Sequence, residues 1–126
     1  MKPSGLDPDE MRLFERGVQE FNAGLFFECH DTLEEIWRGT RGPARDFLQG
    51  LIQISVGLYH LDNRNLLGGR SQLEKGLRKL EPYGSEYLGV EVEGLRREVN
   101  VWLERIRAAD LPECAVRDLP KLRFIP

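Results

Sequence analysis

Cysteine is scarce in this chain. Only Cys29 and Cys114 occur, with no CxxC pair and no Cys/His spacing of a zinc ribbon or finger. That excludes a disulfide framework, and a reducing, cytoplasmic setting is expected. Cys29 then reads as a small buried apolar residue. Long hydrophobic runs are missing too. The longest, FLQGLIQISVGLYHL, contains two glutamines and is shorter than the roughly 20 residues that span a bilayer. No membrane partner is expected. The opening MKPSGLDPDE holds no apolar stretch of a secretory leader, so none is expected. An excess of positive charge is also lacking. The net charge of -3 argues against a general nucleic-acid binder, which needs a basic surface to neutralise phosphates.

What is present is ordinary globular material. The 126 residues are 40% hydrophobic and 31% charged, enough to bury a core as a single helical domain over residues 1–126. Five helices account for most of it. Asp7, Pro8 and Glu10 form an N-cap, a first-turn proline and a capping box, followed by Met11, Phe14, Val18 and Phe21 at helical spacing. Gly24 stops this helix. A second helix covers about residues 25–38, ended by GTRGP. Pro43 opens a third, to about Asp62, whose apolar residues wrap most of its circumference, so it should be central. A fourth spans about 65–81. A fifth spans about 90–109, with a seam of Val92, Leu95, Val99, Trp102 and Ile106. That seam fits either the chain's own core or a homodimer face. Pro120 and Pro126 bar a helix in the tail, so residues 118–126 read as an extended arm. GVEVEG alternates but is short, and no strand is expected. The expected fold is an all-α, five-helix bundle of paired hairpins. A shift of 40 residues aligns Phe26, Phe27, Leu33, Glu34 and Arg38 with Leu66, Leu67, Leu73, Glu74 and Arg78, a faint hairpin repeat.

Chemistry concentrates in HDTLEEIW. On a helix turning about 100° per residue, His30, Glu34 and Trp37 share the face of Phe26, Phe27 and Leu33. Gln49, Gln53 and His60 form a matching polar line on the third helix. A short turn makes these helices antiparallel neighbours, so a semi-buried pocket of His30, Glu34, Gln49, Gln53 and His60, edged by Trp37, is expected between them. Polar groups are costly to bury unpaired. Three uses compete. One is a structural hydrogen-bond network in which Glu34 accepts from the glutamine amides and Trp37 lends its indole N–H. Another is a site for a divalent metal ion or small ligand, with His30 and Glu34 as ligands, His60 as the third and hydrolysis as its use. A third is acid–base chemistry, with Glu34 orienting His30. No activated nucleophile is apparent. Outside the domain's chemistry, a helical self-association or protein-interaction module is the alternative. Arg38, Arg41 and Arg45 gather near the start of the third helix, where they suit either an anion or the C-terminal carbonyls of the second helix.

FNAGLFFECHDTLEEIW, FLQGLIQISVGLYH and NLLGG together resemble the bacterial and archaeal proteins grouped as domain-of-unknown-function family 309. The likeness covers about residues 10–82, and its hallmark HxxxExxW is met by His30, Glu34 and Trp37. It implies a small all-helical fold and points to metal binding at His30 and Glu34, without an established activity. Cys29, Asp31, Arg64 and Gly69 stand where the family more often has Ala, Glu, Gly and Ala.

Overall fold

A computed structural model describes residues 5–110 and 118–126; Cys114 lies outside the described residues. Five helices follow in order: α1 (Pro8–Asn22), α2 (Phe26–Gly39), α3 (Pro43–Asp62), α4 (Leu66–Leu80) and α5 (Val92–Arg107). The start of α1 is built as its sequence demands. Asp7 accepts from the Glu10 amide at 2.8 Å, and the Asp7 amide donates back to the Glu10 carboxylate at 3.0 Å. This satisfies backbone donors that a helix start leaves open. Gly24, at a φ of 78°, makes the left-handed step into α2.

The helices form successive antiparallel hairpins, with α3 packed against α2 on one flank and α4 on the other. One apolar core runs through the bundle, including Phe14, Phe21, Leu33, Phe47, Leu51, Leu58, Leu73 and Leu95. The α5 seam belongs to it: Val92, Leu95, Val99, Trp102 and Ile106 are all buried within the chain. Of the two uses that the seam fits, the chain's own core is the one seen here.

Two short strands were not expected. β1 (Glu86–Tyr87) and β2 (Val90–Glu91) pair antiparallel between α4 and α5, in register Glu86↔Glu91 and Tyr87↔Val90. The two turn residues, Leu88 and Gly89, have φ of 50° and 77°. That left-handed pair matches the twist of a two-residue hairpin, though Leu-Gly lacks the Asn-Gly or Asp-Gly signature that announces one. The arm extends this hairpin. Val90 bridges Phe124, the Glu91 amide donates to the Arg123 carbonyl, and Ile125 donates to the Gly89 carbonyl. Asn22 fastens the arm to α1 by binding both the amide and the carbonyl of Leu122, each at 2.8 Å. The extended tail read from the prolines is thus docked, with Leu119 and Leu122 buried.

Candidate functional site

The α3 helix is central without being buried all round. Gln49, Ile52, Gln53, Val56 and His60 are half-buried and Tyr59 is exposed, and their spacing places them along one line of the helix. The polar line recognised in the sequence is this open edge. It does not close against His30 and Glu34: no hydrogen bond joins either glutamine to them among the described residues.

His30 and Glu34 do meet. One helical turn apart on α2, the His30 Nε2 lies 2.8 Å from a Glu34 carboxylate oxygen. The other ring nitrogen lies 3.3 Å from Asp31. A neutral imidazole can donate to only one of them. Arg38 donates to the second Glu34 oxygen at 2.9 Å. The Glu34 side chain is 31% exposed and that of His30 27%, so this is a half-solvated ion-pair chain, not a buried network. Its partners also differ from those expected, because Glu34 takes its hydrogen bonds from Arg38 and His30 in place of glutamine amides.

Across from His30 stands His60. Both line a cleft of about 200 Å³ whose remaining walls are Phe26, Phe27, Val56 and Tyr59. The walls are apolar and the imidazoles supply the polar atoms. Phe27 and Tyr59 pack against each other along the wall of the cleft, with ring centroids 5.8 Å apart. Phe27 also sits 6.0 Å from the His30 ring. His60 Nδ1 lies 3.4 Å from the Asn65 amide nitrogen, and Asn65 caps α4 by accepting from the Gly68 amide. The aromatic side chains that shape the cleft sit in the apolar stripes of the sequence, where nothing distinguishes a wall residue from a core residue.

Trp37 stands apart from the cleft. Its indole N–H is buried without a partner, so it does not serve the network assigned to it. Its ring is covered by the Arg45 guanidinium at 3.9 Å, a cation–π stack. Arg45 also donates to the carbonyls of Trp37 and Thr40 at 3.0 and 3.1 Å, capping the C-terminus of α2. Gln53 faces the opposite flank, in a second cleft with Lys75, Arg78 and Lys79 of α4. Gln49 shares the open edge and has no hydrogen-bond partner for its side chain among the described residues. Cys29, below the α2 surface, is fully buried, and desolvation first, then the nearby Glu20 carboxylate, pushes its thiol up to about 12. Such a thiol is unreactive at neutral pH. Ser55 donates to the Ile52 carbonyl and adds no nucleophile.

Among the described residues, no group of three or more His, Cys, Asp and Glu side chains is arranged to hold a metal ion. His30 and His60 share a cleft, with Glu34 and Asp31 beside His30. Nor, among the described residues, is any helix long and apolar enough to cross a membrane.

The comparisons leave the chemistry open. The chain is 36% identical over 78 residues to "Uncharacterized protein YpuF" of Bacillus subtilis (strain 168), a match that takes in 60% of this chain and 43% of that relative. It therefore spans less than half the length of the curated relative it matches. Residues 14–72, from the middle of α1 to the first turns of α4, match the family model described as "Domain of unknown function (DUF309)".

Proposed function

We propose that the chain is a non-enzymatic helical interaction module, and that it binds an apolar side chain of a protein partner in the cleft between α2 and α3. The observation that carries this is the exposed Phe27–Tyr59 pair in the wall of an apolar cleft. Phe27 is 53% exposed, and Leu67, at the start of α4, is 83% exposed. Leu25 and Leu66 add to them at the same end of the hairpins, where α2 begins, α3 ends and α4 begins. Large apolar groups gathered at one end of a bundle mark an interaction face more than a scattered surface does. The polar groups serve structure: the Arg45 cap holds the far end of α2, and the Asn65 contact holds His60 at the cleft's rim.

A photo-cross-linking residue in place of Phe27, introduced in the native host, tests this. A discrete adduct is expected that Leu67→Glu abolishes, and its mass tells a second copy from another protein. No adduct, or one that Leu67→Glu leaves intact, defeats the proposal.

A second reading rests on a separate observation, the two imidazoles on one cleft. Here His30, Glu34 and His60, which do not converge on one point in this structure, would draw together around a divalent metal ion, with water completing the shell. Elemental analysis of protein purified without chelator, repeated on His30→Ala, tests it. Metal in the wild type and not in the variant supports it; none in either removes it.

A further inference from the structure

We infer that the cleft between α3 and α4 is a binding site for a phosphate group. Its lining is Gln53 from α3 and Lys75, Arg78 and Lys79 from α4. Three cations thus converge on one small hollow of a chain whose net charge is -3. Lys79 is engaged, 3.5 Å from Asp46, whereas neither Lys75 nor Arg78 has a carboxylate within ion-pair distance among the described residues. Other cations of the surface are paired, Arg38 with Glu34, Arg107 with Glu74 and Glu104, Arg123 with Glu98, while Arg64 and Arg97, like Lys75 and Arg78, have no carboxylate within ion-pair distance among the described residues; Lys75 and Arg78 differ in sharing one cleft.

The basic residues of a last helical turn ordinarily complement the helix dipole, and Arg78 and Lys79 fall there. Two features exceed that role. Lys75 lies a full turn earlier, and Gln53 enters from a different helix. The Gln53 amide oxygen is buried with no hydrogen-bond partner, a position that a ligand hydroxyl fills directly and that the amide nitrogen fills as a donor once the group is turned over.

Size selects the ligand. The cleft holds about 230 Å³, below the roughly 300–1,000 Å³ of sites for drug-sized molecules. A phosphate or phosphate monoester fits. Its oxygens accept from the Arg78 guanidinium and the two ammonium groups, and its hydroxyl, when protonated, donates to Gln53. A polynucleotide is a poor match, since three cations on a single helix do not track a backbone.

Chemical-shift titration of the full chain with inorganic phosphate and with phenyl phosphate, at constant ionic strength, tests the assignment. Saturable shifts are expected at the Gln53 side-chain amide and at the amides of residues 75–79. Tighter binding of phenyl phosphate identifies an esterified ligand; equal or tighter binding of inorganic phosphate identifies the free anion. The exposed pair Lys75→Ala/Arg78→Ala, whose fold is checked by circular dichroism, should weaken binding at least tenfold, and Arg78→Lys should retain part of it. Linear, unsaturated shifts spread over every basic residue overturn the inference. So does binding that the double variant leaves unchanged, or binding of a single-stranded oligonucleotide with none of either phosphate.

Discussion

The two flanks of α3 are built on opposite plans. Towards α4 the helices meet through glycine. A methyl group at Gly57 would lie 2.8 Å from Leu73 side-chain carbons and 3.0 Å from the Leu73 backbone nitrogen. One at Gly76 would lie 2.7 Å from Ile54 and 2.9 Å from the Gly50 carbonyl oxygen. Towards α2, aromatic side chains stand at the helix end. The first flank closes backbone to backbone. The second leaves a cleft edged by Phe27, Tyr59 and two histidines. The faint 40-residue repeat relates the α1–α2 hairpin to the α3–α4 hairpin: a methyl group at Gly17 would lie 2.9 Å from Leu33, as one at Gly57 would lie 2.8 Å from Leu73, and both leucines are fully buried.

The largest expected effect falls on the closed flank. Gly57→Ala and Gly76→Ala each overpack the α3–α4 contact, at a cost of about 1–3 kcal/mol. This opposes the roughly 1 kcal/mol that alanine gains over glycine in a helix interior. The melting temperature should fall for both, and a rise in either shows that the helices are free to separate. Next comes the dry part of the α2 flank. The native Cys29 thiol keeps its proton up to about 12, whereas its ordinary value is 9.0. Between those values the folded state binds more protons than the unfolded one, so stability falls as pH rises through that window and is fully present below it. Urea denaturation at pH 8 and above pH 9.5 should show the loss, and Cys29→Ala should flatten it. An unchanged slope in the variant places the titrating group elsewhere.

Smaller effects belong to the open cleft. Glu34→Ala removes the partners of His30 and Arg38, yet the pairs are half-solvated and strongly screened, so a cost below about 1 kcal/mol is expected. A loss of about 3 kcal/mol, the scale of an uncompensated buried charge, would mean that the pair is far drier than its exposure indicates. Phe27→Ser should change stability least, because the side chain is more exposed than buried. Thermal melts of the two variants beside Gly57→Ala rank the two flanks directly. Should Phe27→Ser destabilise as much as Gly57→Ala, the distinction between them fails.

Periodicity and punctuation in the sequence were sufficient for the helices. The capping box at Asp7 and Glu10, the proline at 43 and the glycines at 24 and 42 act within a few residues of themselves, and local signals of that kind survive into the fold. His30 and Glu34 were likewise legible, because an i,i+4 pair on one helix meets whatever surrounds it. Assigning Gln49 and Gln53 to the same pocket failed for a definite reason. Helical spacing states which residues share a face, but not which neighbour, or solvent, that face meets. The Leu88–Gly89 hairpin escaped notice because it is stabilised from outside, by the arm that adds its backbone to Val90 and Glu91.

By itself, then, the sequence determined an all-α chain of five amphipathic segments, an extended tail and a histidine–glutamate pair on the second helix. Those features rest on backbone propensity and on contacts one turn apart. Only the tertiary structure decided that His60 shares a cleft with His30, that Gln53 faces the cations of α4, that Arg45 covers Trp37 and that the α5 seam is spent on the core. Each depends on how closely and at what rotation two helices approach. That is set by side-chain volume at the contact, as the glycines between α3 and α4 show.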